Sequence, residues 1–110
     1  MKLPANAIIA TGKLTRYLLV LQPRGDKSAF LARAGYTLEN PDQLLHDLRT
    51  QILLLDATPL EAGEFGQYYE IRGTLSHPKG VTLAVRTIWM TEHLSGITKF
   101  VTLIPDKRRT

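Results

Sequence analysis

The chain contains no cysteine. Disulfides, thiolate nucleophiles and cysteine-based zinc sites are therefore excluded, and a cytoplasmic location is the expectation. Long apolar runs are also missing. The longest, "YLLVLQ" and "LRTQILLLDA", are too short and too polar at their flanks to cross a bilayer. "MKLPANAIIATGK" has only a brief apolar patch, broken by Pro4 and Asn6, and lacks the apolar core of a signal peptide. No membrane partner is expected, and the "RGD" at 24–26 has no export signal to make it an adhesion motif. No P-loop, G-x-G-x-x-G, G-x-S-x-G or paired-carboxylate signature occurs. His46, His77 and His93 have no metal-ligand spacing, so neither metal nor cofactor is expected.

What is present suffices for one modest core. The chain has 110 residues, of which 44% are apolar and 22% charged, with a formal net charge of +4. Part of that charge sits in a basic tail, "DKRRT", at 106–110. A nucleic acid is a permitted partner but not a required one.

Periodicity divides the chain into a helical half at 1–55 and a sheet half at 56–105. Leu14, Tyr17, Leu18 and Leu21 form one helical face, with Thr11 as N-cap and Pro23 as stop. Asp26 caps a second helix whose stripe is Phe30, Leu31 and Ala34, and Gly35 ends it. Asn40 and Pro41 open the third, with Leu44, Leu45, Leu48, Ile52 and Leu55 as its buried stripe. Residues 56–66 read as a loop or a poor edge strand, weakened by Pro59 and glycines. "QYYEIRGTLS" alternates, with Tyr69, Ile71 and Leu75 on one face and Tyr68, Glu70, Arg72 and Thr74 on the other. "HPKG" makes a hairpin turn. In "VTLAVRTIWMTE", Val81, Leu83, Val85, Thr87 and Trp89 share one face, and Ala84, Arg86, Ile88 and Met90 share the other, as in a central strand. "ITKFVTLIPD" closes the sheet at Pro105. The expected fold is α+β: three N-terminal helices on a three- or four-stranded antiparallel meander, in a single domain.

Arg86 interrupts this apolar strand. Burying an unpaired guanidinium costs several kcal/mol, so it has a partner, reaches solvent or faces a site. On an open face it could bind phosphate or carboxylate bidentately, and the structural alternative is an ion pair with Glu70. Glu70, Arg72 and Tyr68 share that face: a carboxylate, a phenol and two guanidiniums able to act on a phosphodiester, or else an ordinary solvated surface. Lys27 could meet phosphate at the start of the second helix. Thr87 and Trp89 are most simply core, with the indole N–H needing an acceptor.

"KLPANAII", "KLTRYLL", "DKSAFLARAGYT" and "GVTLAVRTIWM…FVTLIP" together resemble a family of small bacterial proteins, frequent in cyanobacteria, built on a domain of unknown function. The V-R-T-I-W strand is the most specific part. The resemblance implies a neighbouring small SH3-like partner and kinship with domains ending polymorphic toxins, hence the toxin of a toxin–antitoxin pair. The element order is also similar to the barnase–EndoU–colicin–RelE group of metal-independent ribonucleases. These likenesses mark Lys27, Arg86 and Thr87 as family-motif positions. The family pattern often has His before the Lys, where this chain has Asp26. The expected function is a toxin-like RNA-binding or RNA-cleaving protein. Arg86 would stabilise charge on phosphorus, Lys27 would hold a backbone phosphate, and Tyr68 would serve the leaving group. Arg72, Glu70 and Thr87 would contact substrate. The alternative is a non-catalytic module forming a homo- or heterodimer, because Ile88 and Met90 beside Arg86 would leave an apolar patch needing a cover.

Overall fold

Alternation in the second half of the chain produces a four-stranded antiparallel sheet. The computed structural model describes residues 1–23, 26–76 and 81–107. The strands are β1 (Thr58–Ala62), β2 (Gly66–Ser76), β3 (Thr82–Glu92) and β4 (Thr98–Pro105), in the order β1-β2-β3-β4. The fold is α+β, as expected. The stretch read as a loop or poor edge strand contributes β1, an exposed edge whose register breaks between Pro59 and Ala62. Pro59 supplies no N–H, which suits an edge and not a centre.

One face of the sheet is core. Ile71 and Leu75 of β2, Leu83, Val85, Thr87 and Trp89 of β3, and Phe100 and Leu103 of β4 are all buried there. Trp89 meets Phe100 edge-on, with centroids 5.3 Å apart and planes at 73°. Its indole Nε1–H donates to Thr87 Oγ1 at 2.8 Å, and Thr87 Oγ1 donates to the Ile71 carbonyl at 2.9 Å. The buried hydroxyl and the buried indole thus satisfy each other. Val81, expected on this face, precedes the strand and is exposed. The "HPKG" turn lies outside the described residues, as do Arg24, Gly25 and residues 108–110.

Among the described residues there are three helical segments, of which only two are long. α1 opens as an α-helical turn at Thr11–Lys13 and widens into a π-helix at Leu14–Leu18. α2 is five residues, Ser28–Ala32, ended by Gly35 at φ 95°. α3 runs through Pro41–Asp47 and widens likewise at Leu48–Ile52. The widening changes which side chains go inward. The N–H of Leu19 bonds the Leu14 carbonyl at 3.0 Å, and that of Leu53 bonds Leu48 at 2.9 Å, each five residues back. Leu19 and Leu53 are buried in consequence, while Tyr17 is 61% exposed and Leu21 80% exposed, contrary to the α-helical spacing; Leu55 is pushed outward too. The expected caps also shift by one residue or lose their bond. Ala10 and Lys27 hold the N-cap positions expected of Thr11 and Asp26, and Asn40 makes no capping bond to α3. Instead Asn40 Oδ1 accepts from the Thr37 N–H at 2.8 Å and its Nδ2 donates to the Gly35 carbonyl at 2.9 Å.

Helical and sheet residues share one buried cluster, which includes Leu14, Leu31, Leu44, Leu48 and Ile52 together with Ile71, Val85 and Trp89. The helical layer approaches the sheet closely at Gly73 of β2. A Cβ there would stand 2.6 Å from Leu55 Cδ1 and 2.9 Å from Ile52 Cδ1. Within α3, Asp47 is buried and accepts from Tyr36 Oη at 2.7 Å and Gln43 Nε2 at 3.0 Å. Burial, and then Asp47, pushes the Tyr36 phenol well above its ordinary pKa.

Two substitutions probe this layer by equilibrium urea unfolding. Gly73→Ala is expected to destabilise by about 1–3 kcal/mol through overpacking against Ile52 and Leu55. Thr87→Val is expected to cost ~1–3 kcal/mol by stranding the buried Trp89 N–H. Unchanged stability in either would contradict the packing described.

Candidate functional site

The other face of the sheet carries Thr58 and Leu60 from β1, Tyr68, Glu70, Arg72 and Thr74 from β2, Ala84, Arg86, Ile88 and Met90 from β3, and Lys99, Thr102 and Ile104 from β4. These residues are half-buried or exposed. Residues 58–62 lie in the plane of the sheet as its edge strand rather than over this face.

At its centre the register places Arg72 directly opposite Arg86. Like charges facing one another across two strands repel. Glu70 relieves this from the diagonal position, opposite Ile88. Its Oε1 accepts from Arg72 Nε at 2.8 Å and its Oε2 from Arg86 Nε at 2.7 Å, with Arg86 Nη2 also on Oε2. Asp106, just beyond β4, accepts from Arg72 Nη1 at 3.2 and 3.3 Å. Its backbone N–H is held by the Ala84 carbonyl at 2.9 Å. The chain Arg86–Glu70–Arg72–Asp106 is electroneutral, and its two carboxylates are more buried than its two guanidiniums. The Arg86 side chain is 34% exposed, that of Glu70 11% and that of Asp106 1%.

Partial burial would raise the Glu70 pKa, but the hydrogen bonds from Arg72 and Arg86 outweigh it and hold the carboxyl below its usual range. The bond from Glu70 likewise raises Arg72. Among the described residues, no side-chain hydrogen bond engages Arg86 Nη1 or Arg72 Nη2. Beside them lies a cleft of about 430 Å³ lined by Arg72, Arg86, Ile104, Pro105, Asp106 and Lys107. Rigid guanidiniums with spare donors at the rim of a cleft can receive an oxyanion.

The ion pair weighed for Arg86 is therefore present, and the arginine is still accessible. Of the other expected residues, Tyr68 lies on the same face, two positions from Glu70, but lines a separate hollow with Leu60 and Glu61. Thr87 faces the core, fully buried and bonded on both sides, so it has no surface to offer a substrate. Lys27 is not in the arginine cleft. Its Nζ donates to Thr102 Oγ1 at 3.4 Å, further along β4. Asp26 Oδ1 accepts from Ser28 Oγ at 2.8 Å and from the Gln22 N–H at 3.0 Å, and the Ser28 bond leads in lowering its pKa. That carboxylate braces the turn into α2. His46 is exposed on α3 and His93 in the turn after β3, and His77 lies outside the described residues. Asp106 escaped the sequence reading because it was grouped with the basic tail. The signal for it was a lone acid directly after the strand-ending Pro105.

The family model for a domain of unknown function, DUF6883, matches residues 2–107. The chain belongs to this family. No curated protein and no solved structure matches it. Membership in a DUF6883 family of unknown function agrees with the resemblance drawn from the V-R-T-I-W strand, and it names no activity. Among the described residues of this DUF6883 domain, no three His, Asp or Glu side chains gather to hold a metal, and no helix is long and apolar enough to cross a membrane.

Because its folded-state pKa lies below the unfolded one, Glu70 contributes stability that is complete above its ordinary value of 4.5 and lost as pH falls through the lower folded value. Glu70→Gln is expected to be less stable than the parent by about 1–3 kcal/mol at pH 7. The gap should close as pH falls below 4.5 and through the lower folded value, measured by thermal unfolding. A gap independent of pH would contradict the ionised, doubly bonded carboxylate.

Proposed function

We propose that this DUF6883 domain is a toxin-like RNA-binding protein whose open sheet face supports metal-independent cleavage of the strand. The observation that carries the reading is the Arg72–Glu70–Arg86 cluster, held on rigid central strands with donors left over at a cleft. An RNA phosphodiester seated there would take hydrogen bonds from Arg86 Nη1 and Arg72 Nη2 on its non-bridging oxygens. Drawing the guanidiniums toward phosphate weakens their hold on Glu70 and raises its proton affinity, as a general base requires. Glu70 then takes the proton of the 2′-hydroxyl, whose oxygen attacks phosphorus. The arginines stabilise the developing charge, and the 5′-oxygen leaves with a proton from water, because Tyr68 lines a separate hollow. The products are a 2′,3′-cyclic phosphate and a 5′-hydroxyl. Fixed donors at such a centre are each worth about 10²–10³ in rate.

A second reading has its own support. Leu60, Tyr68, Ile88, Met90 and Ile104 surround the ionic cluster half-exposed or exposed, an apolar fringe that suits a protein partner. An antitoxin-like neighbour seated there would cover the cluster and silence it. In the non-catalytic version, a partner or a second copy is the only occupant.

Expression with and without the genomic neighbour, scored by growth arrest and RNA integrity, separates the readings. RNA fragments ending in cyclic phosphate are expected, reduced at least a hundredfold by Arg86→Ala in a folded protein. Intact RNA and no arrest, with tight binding to the neighbour, would replace the first reading by the second.

A further inference from the structure

Two backbone irregularities meet at a second cleft, away from the arginine cluster. The π-helical turn of α1 turns Tyr17 outward. On β4, pairing passes from Trp89 opposite Phe100 to Ile88 opposite Thr102, leaving Val101 as a bulged extra residue. Bulges and π-turns both re-aim side chains and recur at functional sites. Between them lies a cleft of about 280 Å³ lined by Lys13, Tyr17, Leu18, Lys27, Val101 and Thr102.

The charges in this cleft are unbalanced, unlike those around Glu70. Neither Lys13 nor Lys27 forms an ion pair among the described residues. The one side-chain hydrogen bond of Lys27 goes to a neutral hydroxyl, Thr102 Oγ1. Two ammonium groups, a hydroxyl and an exposed phenol ring make a site for a phosphodiester with its base stacked on the ring. An acidic peptide would use the same lysines; a nucleobase stacked on the ring is the occupant that agrees with the RNA-binding reading of the first cleft. β4 also links this cleft to the first. Thr102 lies two residues from Ile104, which pairs with Arg86 and lines the arginine cleft. That is roughly 6.6 Å of strand, the order of one step of an extended nucleic-acid chain.

We infer that Lys13, Lys27, Thr102 and Tyr17 form a binding subsite for the single-stranded backbone flanking the arginine cleft, with one base stacked on Tyr17. This rests on the RNA-binding reading and names the path of the strand. The lysines grip phosphate, so their contribution weakens with salt, whereas the Tyr17 contribution does not.

The test is fluorescence-anisotropy titration of the full chain with a labelled single-stranded oligouridylate carrying 2′-deoxy substitutions that block cleavage, over a series of salt concentrations. For the Lys13→Gln/Lys27→Gln double variant, affinity should fall at least tenfold at low salt, and the slope of log affinity against log salt should decrease by roughly 1.4 in magnitude. Tyr17→Ala should weaken binding roughly five- to a hundredfold with the slope unchanged. Lys13 and Tyr17 are exposed and Lys27 is half-buried, and matched melting temperatures check folding. If wild type binds and these variants bind equally well with the same slope, the subsite is overturned while the arginine-cleft reading stands. If the variants lose binding as stated but wild type leaves ordinary RNA intact, the subsite stands and the cleavage reading fails. No binding by wild type overturns both.

Discussion

Two arginines face each other across the central strand pair, and one carboxylate makes that arrangement tolerable. Without Glu70, Arg72 and Arg86 would repel at the middle of the sheet. With it, each guanidinium is held through Nε, the stiffest point of its attachment, while terminal nitrogens remain available. Asp106 supplies the second counter-charge and ties the end of β4 to Ala84 and Arg72. One set of bonds thus serves both the fold and the proposed chemistry. It closes the C-terminal strand onto the sheet and fixes donors where an oxyanion would arrive.

The two faces of the sheet show how the chain divides its roles. On the inner face the polar atoms of Thr87 and Trp89 are consumed by one another and by the Ile71 carbonyl, leaving nothing for a ligand. On the outer face, half-buried Ile88 and Met90 flank charges that are paired but not sealed. Lys13 and Lys27, without an ion pair among the described residues, line a separate cleft at the β4 edge, apart from the paired arginines.

The sequence was most informative where geometry follows from parity. Alternation in β2 and β3 assigns every residue from Tyr68 to Leu75 and from Leu83 to Met90 to the face it occupies, and with it the Glu70–Arg86 pair. Helical faces were less legible because the π-helical turns break the 3.6-residue spacing. Leu19 and Leu53 go inward where Tyr17, Leu21 and Leu55 were expected. β1 was ambiguous for a physical reason, since Pro59 and an irregular register make it a weak edge. Lys27 and Thr87 illustrate the limit of motif reasoning. Thr87 sits one residue from Arg86 and Lys27 shares its family pattern, yet one points into the core and the other lines a different cleft. Asp106 required three-dimensional proximity, because thirty-four residues separate it from Arg72.

The central claim is that Glu70 holds both arginines while leaving them reachable. Nitrogen-detected NMR of the arginine Nε–H groups tests it most directly. The account predicts two dispersed, slowly exchanging Nε–H signals assigned to Arg72 and Arg86. Both should move on addition of a non-cleavable single strand, and both should collapse toward the free-arginine position in Glu70→Gln. Fast-exchanging signals at that position in the parent protein, or signals indifferent both to the strand and to the loss of the carboxylate, would contradict it.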